Sequence, residues 1–203
     1  MAVDEALLRE VKEPVLRIYE WNDPAVSLGY FQPAILAPEG RSFVRRYTGG
    51  GLVDHARDVT YTLVVPRAYP WMELSAPDSY CLIHRGVQAA LAACGIESEI
   101  APLASAVESD ACFQKPVRFD IVAQGHKLSG AAQRRTREGL LHQGSVLLPD
   151  PTRNVDLRRI FANAFASRLE LAMTPCDLTA AETARAYDLE RERYASDAWN
   201  RMR

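Results

Sequence analysis

The stretch RRYTGGGLVDH, residues 45 to 55, places Arg45, Arg46 and Thr48 ahead of Gly49, Gly50 and Gly51 and sets His55 just beyond them. Three glycines in succession expose backbone N–H groups with no Cβ in the way, so the chain can curl around an anionic or carbonyl oxygen, and the two arginines can add fixed positive charge. A phosphate loop of the Walker type would end in Gly-Lys-Ser/Thr and open a helix, whereas here a strand pattern, VTYTLVV, follows. The plain alternative is an ordinary glycine-rich connection. Lys127, in GHKLSG, is the second candidate. On a hairpin arm followed by Ser129, Gly130 and Ala131, one ammonium can hold a carboxylate, polarise a thioester carbonyl or take part in proton transfer to an amine, though most lysines are merely solvated. Cys112 is the third: a thiol in a loop near positive charge is a nucleophile, and the same thiol buried among apolar groups is an inert small hydrophobe.

The remaining cysteines and histidines read as less pointed. Cys81 and Cys94 fall on the apolar side of a helical pattern, and Cys176 follows Pro175 with no catalytic neighbour. His55 is near enough to the glycines to reach the same ligand, His84 lies on a helix, and His126 alternates away from Lys127 on one strand. No two histidines have the spacing of zinc ligands, so no metal site is expected.

Elements of both kinds must position these groups. Residues 1 to 11 put Val3, Leu7, Leu8 and Val11 on one side at helical spacing, and Pro14 closes that helix. VLRIYEW (15 to 21), SLGYFQ (27 to 32), SFVRRYT (42 to 48) and VTYTLVVP (59 to 66) are β-branched and aromatic runs bounded by turn residues, which predicts strands. Between Ser75 and Gly95 the period becomes helical, with Ser75 and Asp78 as a capping pair and Gly95 as the stop. FDIVAQGHKLSG (119 to 130) predicts a hairpin joined at Gln124-Gly125, and GLLHQGSVLLP (139 to 149) a further strand. The polar, irregular segment 102 to 117 holds Cys112. DLRRIFANAF (156 to 165) and LTAAETARAYDLERERY predict helices, the second with Thr179 and Glu182 as a capping box. Strand runs with helices before, between and after them predict one α+β domain over residues 1–203, with helices packed on a mixed, mostly antiparallel sheet.

At 203 residues, 48% apolar and 25% charged, the chain is long enough to bury one sizeable core. A formal net charge of −2 gives no overall attraction to nucleic acid or to an anionic membrane surface, so any cationic site must be local. No apolar run approaches the length of a membrane span, and the acidic start MAVDEALLREVKEP is unlike a signal peptide, so a cytoplasmic location is expected. There the four cysteines are expected as free thiols rather than a disulfide framework.

Together and in this order, these segments resemble the superfamily of lipoate-protein ligase A, octanoyltransferases and biotin-protein ligases. MAVDEALL resembles its opening helix, VLRIYEWNDPAVSLGYFQ its early strands, RRYTGGGLVDH its ligand-binding loop, DIVAQGHKLSGAAQRR its lysine hairpin, and LERERYASDAWNRMR the tail of its catalytic domain. The resemblance implies a class II aminoacyl-tRNA synthetase/biotin ligase-like fold with Lys127 as the active-site lysine. It further implies that Arg45, Arg46, Thr48, Gly49 to Gly51 and His55 hold the head of an acyl group, and that Ser129, Gly130 and Ala131 line the same pocket. Within the superfamily, cysteine-dependent octanoyltransferases take octanoate from acyl carrier protein onto a thiol in an Ala-Cys-Phe stretch ahead of the lysine hairpin. Ala111-Cys112-Phe113 stands in that place. This implies transfer of an octanoyl or lipoyl group to a lysine of a lipoyl-domain protein, through Cys112 and Lys127 and without a cofactor. The full glycine triplet, and Asp120 in FDIV, are closer to the ATP-dependent ligases, which need ATP and Mg and usually carry an accessory C-terminal domain or a partner subunit; an accessory C-terminal domain is not expected in this chain. A non-catalytic lipoyl-binding subunit is the third reading. With no extra domain ahead of the catalytic core, no nucleic-acid partner is expected.

Overall fold

The fold is that of a computed structural model, which describes residues 1–22, 25–56, 58–102, 117–147 and 155–202. Along the chain come α1 (Ala2–Glu10), β1 (Val15–Tyr19), β2 (Val26–Leu28), β3 (Phe43–Arg45), β4 (Val53–Asp54) and β5 (Asp58–Pro66). They are followed by α2 (Ala76–Ala93), β6 (Glu99–Ile100), β7 (Ile121–Ala123), β8 (His126–Arg135) and β9 (Gly139–Leu147). The last elements are α3 (Val155–Arg168), α4 (Ala180–Leu189), one π-helical turn (Glu190–Tyr194) and α5 (Asp197–Asn200).

Six strands form one sheet in the order β1-β5-β9-β8-β7-β6, every neighbouring pair antiparallel. A smaller sheet, β3-β2-β4, contributes the parallel pair β2 with β3, so the mixed, mostly antiparallel α+β architecture expected from the sequence is the one found. Strand alternation splits the apolar residues of the large sheet between two faces. Tyr61, Leu63, Val65, Leu140 and Val146 pack with Ile83, Val87 and Leu91 of α2 and with Phe161 and Phe165 of α3. Val64 and Leu141, cross-strand partners, turn the other way onto Leu7 and Leu8 of α1. Each such side chain, fully buried, stabilises the fold by about 1.5–3 kcal/mol.

Local signals set the ends of the elements. Ser75 caps α2 by accepting from the Asp78 N–H, and Gly95, at φ 79°, carries the chain out of it. Thr179 and Glu182 form the reciprocal capping box of α4. The turn between β7 and β8 falls at Gln124 and Gly125, both with positive φ, as a two-residue hairpin requires. Three strand readings shorten: VLRIYEW is a strand only to Tyr19, SLGYFQ only to Leu28 and SFVRRYT only to Arg45, the last two where the chain is drawn into the loops around the glycine triplet.

α1 holds a departure from its apolar pattern. Asp4 and Glu5, which are not part of the apolar set Val3, Leu7, Leu8 and Val11, are both wholly buried. Asp4 accepts from Arg17 at 2.8 Å and from the Gln143 amide at 2.7 Å, while Glu5 accepts from Arg193 at 2.6 Å and from the Tyr194 hydroxyl at 2.7 Å. Burial alone would raise the Asp4 carboxyl; the terminal ammonium, Arg17 and Gln143 outweigh it and hold the group below its usual range. No helix among the described residues is long and apolar enough to cross a membrane.

Candidate active site

The glycine loop is shaped from behind by its arginines. Arg46 donates to the carbonyls of Gly49 at 3.0 Å and Gly51 at 2.6 Å with one end of its guanidinium. With the other it reaches the Ser27 carbonyl at 2.9 Å and the Ser27 hydroxyl at 2.6 Å. Gly50 sits at φ 83°, a backbone region that a side chain would strain, and an ideal Cβ there would be 3.3 Å from the Ala132 Cβ on β8. Gly29, after β2, lets the loop lie against it: a Cβ at Gly29 would come within 2.8 Å of the Gly50 carbonyl carbon and 2.9 Å of the Gly49 oxygen, and closer still to the Gly50 oxygen. Thr48, fully buried, donates to Gln143 on β9 at 2.7 Å and so ties the loop through Gln143 to Asp4 of α1.

Lys127 is presented by an irregularity in the β7–β8 ladder. The register steps from Ile121 opposite Ser129 to Val122 opposite Lys127, so two residues of β8 pass one of β7 and the facing of side chains changes there. The Lys127 ammonium, 2% exposed, then pairs with the buried Asp120 carboxylate at 2.7 Å. It lies over Gly130, where any Cβ would overlap the lysine Cε and Nζ. Asp120 also accepts from the Val117 N–H at 2.7 Å and from the Tyr80 hydroxyl at 2.7 Å. Burial first, then the Asp120 charge, pushes the Tyr80 hydroxyl well above its ordinary range, so it stays a donor; it also accepts from the Ala131 N–H at 3.0 Å, joining α2 to β8.

The two stretches meet. One narrow cleft between the sheets is lined by Arg46 and His55 from the loop side and by Gly130, Ala131 and Ala132 from the strand that carries Lys127. His55 stacks on Trp21, with ring centroids 4.2 Å apart, and has both nitrogens engaged: Nε2 with the Ser27 hydroxyl at 2.6 Å and Nδ1 with Asp58 at 2.8 Å. Neither Lys127 nor the glycine triplet is itself in the cleft lining: among the described residues, Lys127 lies over Gly130 and Gly50 comes against Ala132, and it is Gly130 and Ala132 that line the cleft.

Arg45 takes a different place from the one expected of it. Its wholly buried guanidinium does not line the cleft; it donates to the carbonyls of Gly29, Tyr30 and Gln32 on one side and of Trp199 and Asn200 on the other. Three of these carbonyls accept at Nη1 and one each at Nε and Nη2, so the guanidinium pins the base of the loop to residues 199 and 200. Ser129 is fully buried and its hydroxyl meets no partner among the described residues. Of three residues considered as walls for an acyl tail, Val53 lines the cleft, Val122 lines a separate open groove at the sheet edge, and Leu128 packs on the main core. Cys112 lies outside the described residues. Cys81 and Cys94 are half-buried and Cys176 is exposed.

The model of the lipoyl protein ligase A/B catalytic domain matches residues 1–167. This chain belongs to that family. Among curated relatives of the lipoyl ligase family chain, octanoyltransferase LipM of Brevibacillus brevis is 34% identical, covering 100% of this chain and 94% of the relative. LipM of Bacillus subtilis is 28% identical, covering 100% and 93%. The first alignment runs over 259 positions against the 203 residues here, so that relative carries segments with no counterpart in this chain. A lipoate-protein ligase A bound with ATP shares the fold at 23% identity and a TM-score of 0.82, covering 98% of this chain and 92% of that one. The bipartite lipoate protein ligase of Thermoplasma acidophilum, described with its E2 lipoyl domain, does so at 22% and 0.78, covering 98% and 89%. The expected class II synthetase-like fold is therefore the family's fold in this chain.

Several residues of this site carried no mark in the sequence. Tyr80 and Ser27 sit in ordinary helix and strand patterns, and Gln143 reads as one position of an apolar strand. Asp58 had a faint signal, three residues after His55 in HARD, a spacing that says nothing until the chain turns there.

Proposed function

We propose that this protein is an acyltransferase of protein lipoylation, moving an octanoyl or lipoyl group onto a specific lysine of a lipoyl-domain protein. The donor is acyl carrier protein and the carrier residue on the enzyme is Cys112. The observation that carries the reading is the 34% identity, along the whole chain, to a relative named octanoyltransferase. The cleft in which the glycine loop meets the lysine strand supports it, as does Ala111-Cys112-Phe113 ahead of that strand.

The chemistry is two acyl exchanges. The Cys112 thiolate bonds to the carbonyl carbon of the carrier thioester, the carrier's C–S bond breaks, and its thiol leaves with a proton. The acceptor amine then bonds to the same carbon, the bond to Cys112 breaks, and amide and free thiol remain. Splitting the transfer means that two partner proteins need not be held at once. In each step Lys127 and the N–H groups of Gly49 to Gly51 stabilise the oxyanion. Asp120 keeps the ammonium in place, and Arg46 fixes the curl of the loop through its carbonyls. Thr48, His55, Ser129, Gly130 and Ala131 complete the surroundings of the acyl head.

The full glycine triplet and Asp120 favour a second reading, ATP-dependent ligation. That reaction needs ATP and Mg. Intact mass after incubation with octanoyl carrier protein separates the readings. The expected result is a single octanoyl adduct that Cys112→Ala abolishes. Full activity of Cys112→Ala with ATP and free lipoate would establish the ligase instead, and no modification of a lipoyl domain under either condition would leave a non-catalytic subunit.

A further inference from the structure

We infer that Ser27, His55 and Asp58 form a proton relay serving the acceptor amine, with His55 as the general base; this rests on the acyl-transfer reading above. The three side chains come from β2, the turn after β4 and the start of β5, and stand in line: Ser27 Oγ to His55 Nε2 is 2.6 Å, and His55 Nδ1 to Asp58 Oδ2 is 2.8 Å. All three are at least nine-tenths buried, and Ser27 and His55 line the cleft that holds Arg46 and Gly130.

Counting hydrogens fixes the direction of the relay. A guanidinium can only donate, so Arg46, 2.6 Å from Ser27 Oγ, uses that oxygen as an acceptor. The hydroxyl has one hydrogen, and among the described residues the acceptor beside it is His55 Nε2. Nε2 is therefore the bare nitrogen and Nδ1 carries the proton, donated to Asp58. Asp58 Oδ2 is held in turn by the hydroxyls of Thr60, at 3.1 Å, and Ser145. Trp21 stacks on the ring and donates to Thr60 Oγ1 at 2.9 Å, which closes the cage. The charged groups facing the imidazole are Asp58, Asp54 of β4, and Arg46 beyond Ser27.

Amide formation needs such a group. A protein lysine is protonated at neutral pH and must lose two protons to become an amide nitrogen. His84 and His142 lie among the residues packed between the sheet and α2, away from the cleft lining. In the proposed step the lysine ammonium gives one proton to Ser27 Oγ as the serine proton passes to Nε2, which leaves a free amine and an imidazolium. The amine nitrogen then bonds to the thioester carbon, the C–S bond breaks with its electron pair on sulfur, and the amine's second proton goes to that sulfur to make the thiol, while the imidazolium releases the first proton to solvent. Asp58 orients the ring and offsets its transient charge, the arrangement that makes histidine an effective base.

The test compares two acceptors for the octanoyl group from octanoyl carrier protein, a lipoyl domain and hydroxylamine. Hydroxylamine is already unprotonated at neutral pH and needs no base. Ser27→Ala and His55→Gln, each checked for folding by thermal melting, are expected to slow lipoyl-domain acylation about 10²-fold more than they slow enzyme-dependent hydroxamate formation. Ser27→Ala is the milder change, since Arg46 keeps the Ser27 carbonyl, and it decides the matter if His55→Gln does not fold. Equal loss with both acceptors, or no loss with either, would overturn the relay alone. Failure of the unaltered protein to acylate the lipoyl domain would overturn the transfer reading, and the relay with it.

Discussion

Replacing Gly29 by alanine should disable the site without touching any group assigned to its chemistry. The added Cβ would stand 2.8 Å from the Gly50 carbonyl carbon and 2.9 Å from the Gly49 oxygen, and nearer still to the Gly50 oxygen, whereas ordinary contacts begin near 3.4 Å. All the obstructing atoms are backbone, so no rotamer change relieves the overlap and the loop must retreat by on the order of 1 Å. That shift opens the Arg46 bonds to the Gly49 and Gly51 carbonyls and lifts Gly50 away from Ala132. Overpacking of this kind costs about 1–3 kcal/mol, and in a chain of this size each kcal/mol lowers the melting temperature by about 2–4 °C. Misplacement of a site by 1 Å costs about 10²-fold in rate. Octanoyl transfer followed by intact mass, beside a thermal melt, reads both quantities. Gly49→Ala is the companion measurement: among the described residues a Cβ there meets only the Phe31 ring, at 3.9 Å, so its melting temperature should match that of the unaltered protein. A Gly29→Ala protein with undiminished transfer and an unchanged melt would refute the idea that this backbone approach sets the loop.

Asp120→Asn removes the countercharge of an ammonium that is 2% exposed, and leaving one member of a buried pair costs about 3–5 kcal/mol; urea unfolding should show the loss, and an unchanged midpoint would mean the pair is not buried as described. Acid should weaken the fold through two histidines. Burial lowers His84 from 6.5 to about 4, and burial together with the nearby His84 lowers His142 well below its usual range. As pH falls below about 6.5 the unfolded chain takes up protons that the folded chain refuses, so stability drops by roughly 1.4 kcal/mol per pH unit for each histidine. Unfolding midpoints at pH 7 and pH 5 should differ accordingly, and His142→Gln should flatten the slope; a midpoint indifferent to pH would count against both buried imidazoles being neutral.

What the sequence discloses here is what neighbours in the chain decide. The turn at Gln124-Gly125, the Ser75 and Thr179 caps and the split of Val64 from Leu63 and Val65 between two faces all follow from residues a few positions apart. The buried acids of α1 do not, because the partners of Glu5 include Arg193 and Tyr194, 188 and 189 positions away. Arg45 and Arg46 look alike on paper, yet neighbouring residues of an extended segment point oppositely, and one meets a cradle of carbonyls while the other meets the cleft. Lys127 was legible as a lone cation on a hairpin arm. Its reach over Gly130 was not, since it depends on the register step against β7.

The carbonyls of Trp199 and Asn200 that Arg45 grips belong to residues about 155 positions further along the chain. Until those residues have left the ribosome, the floor beneath the triplet is missing one wall of its mould, and a nascent chain that has already paired its six strands still lacks a finished glycine loop. Synthesis and competence are thereby ordered: a partly made copy of this protein would be shaped like an enzyme before it could act as one.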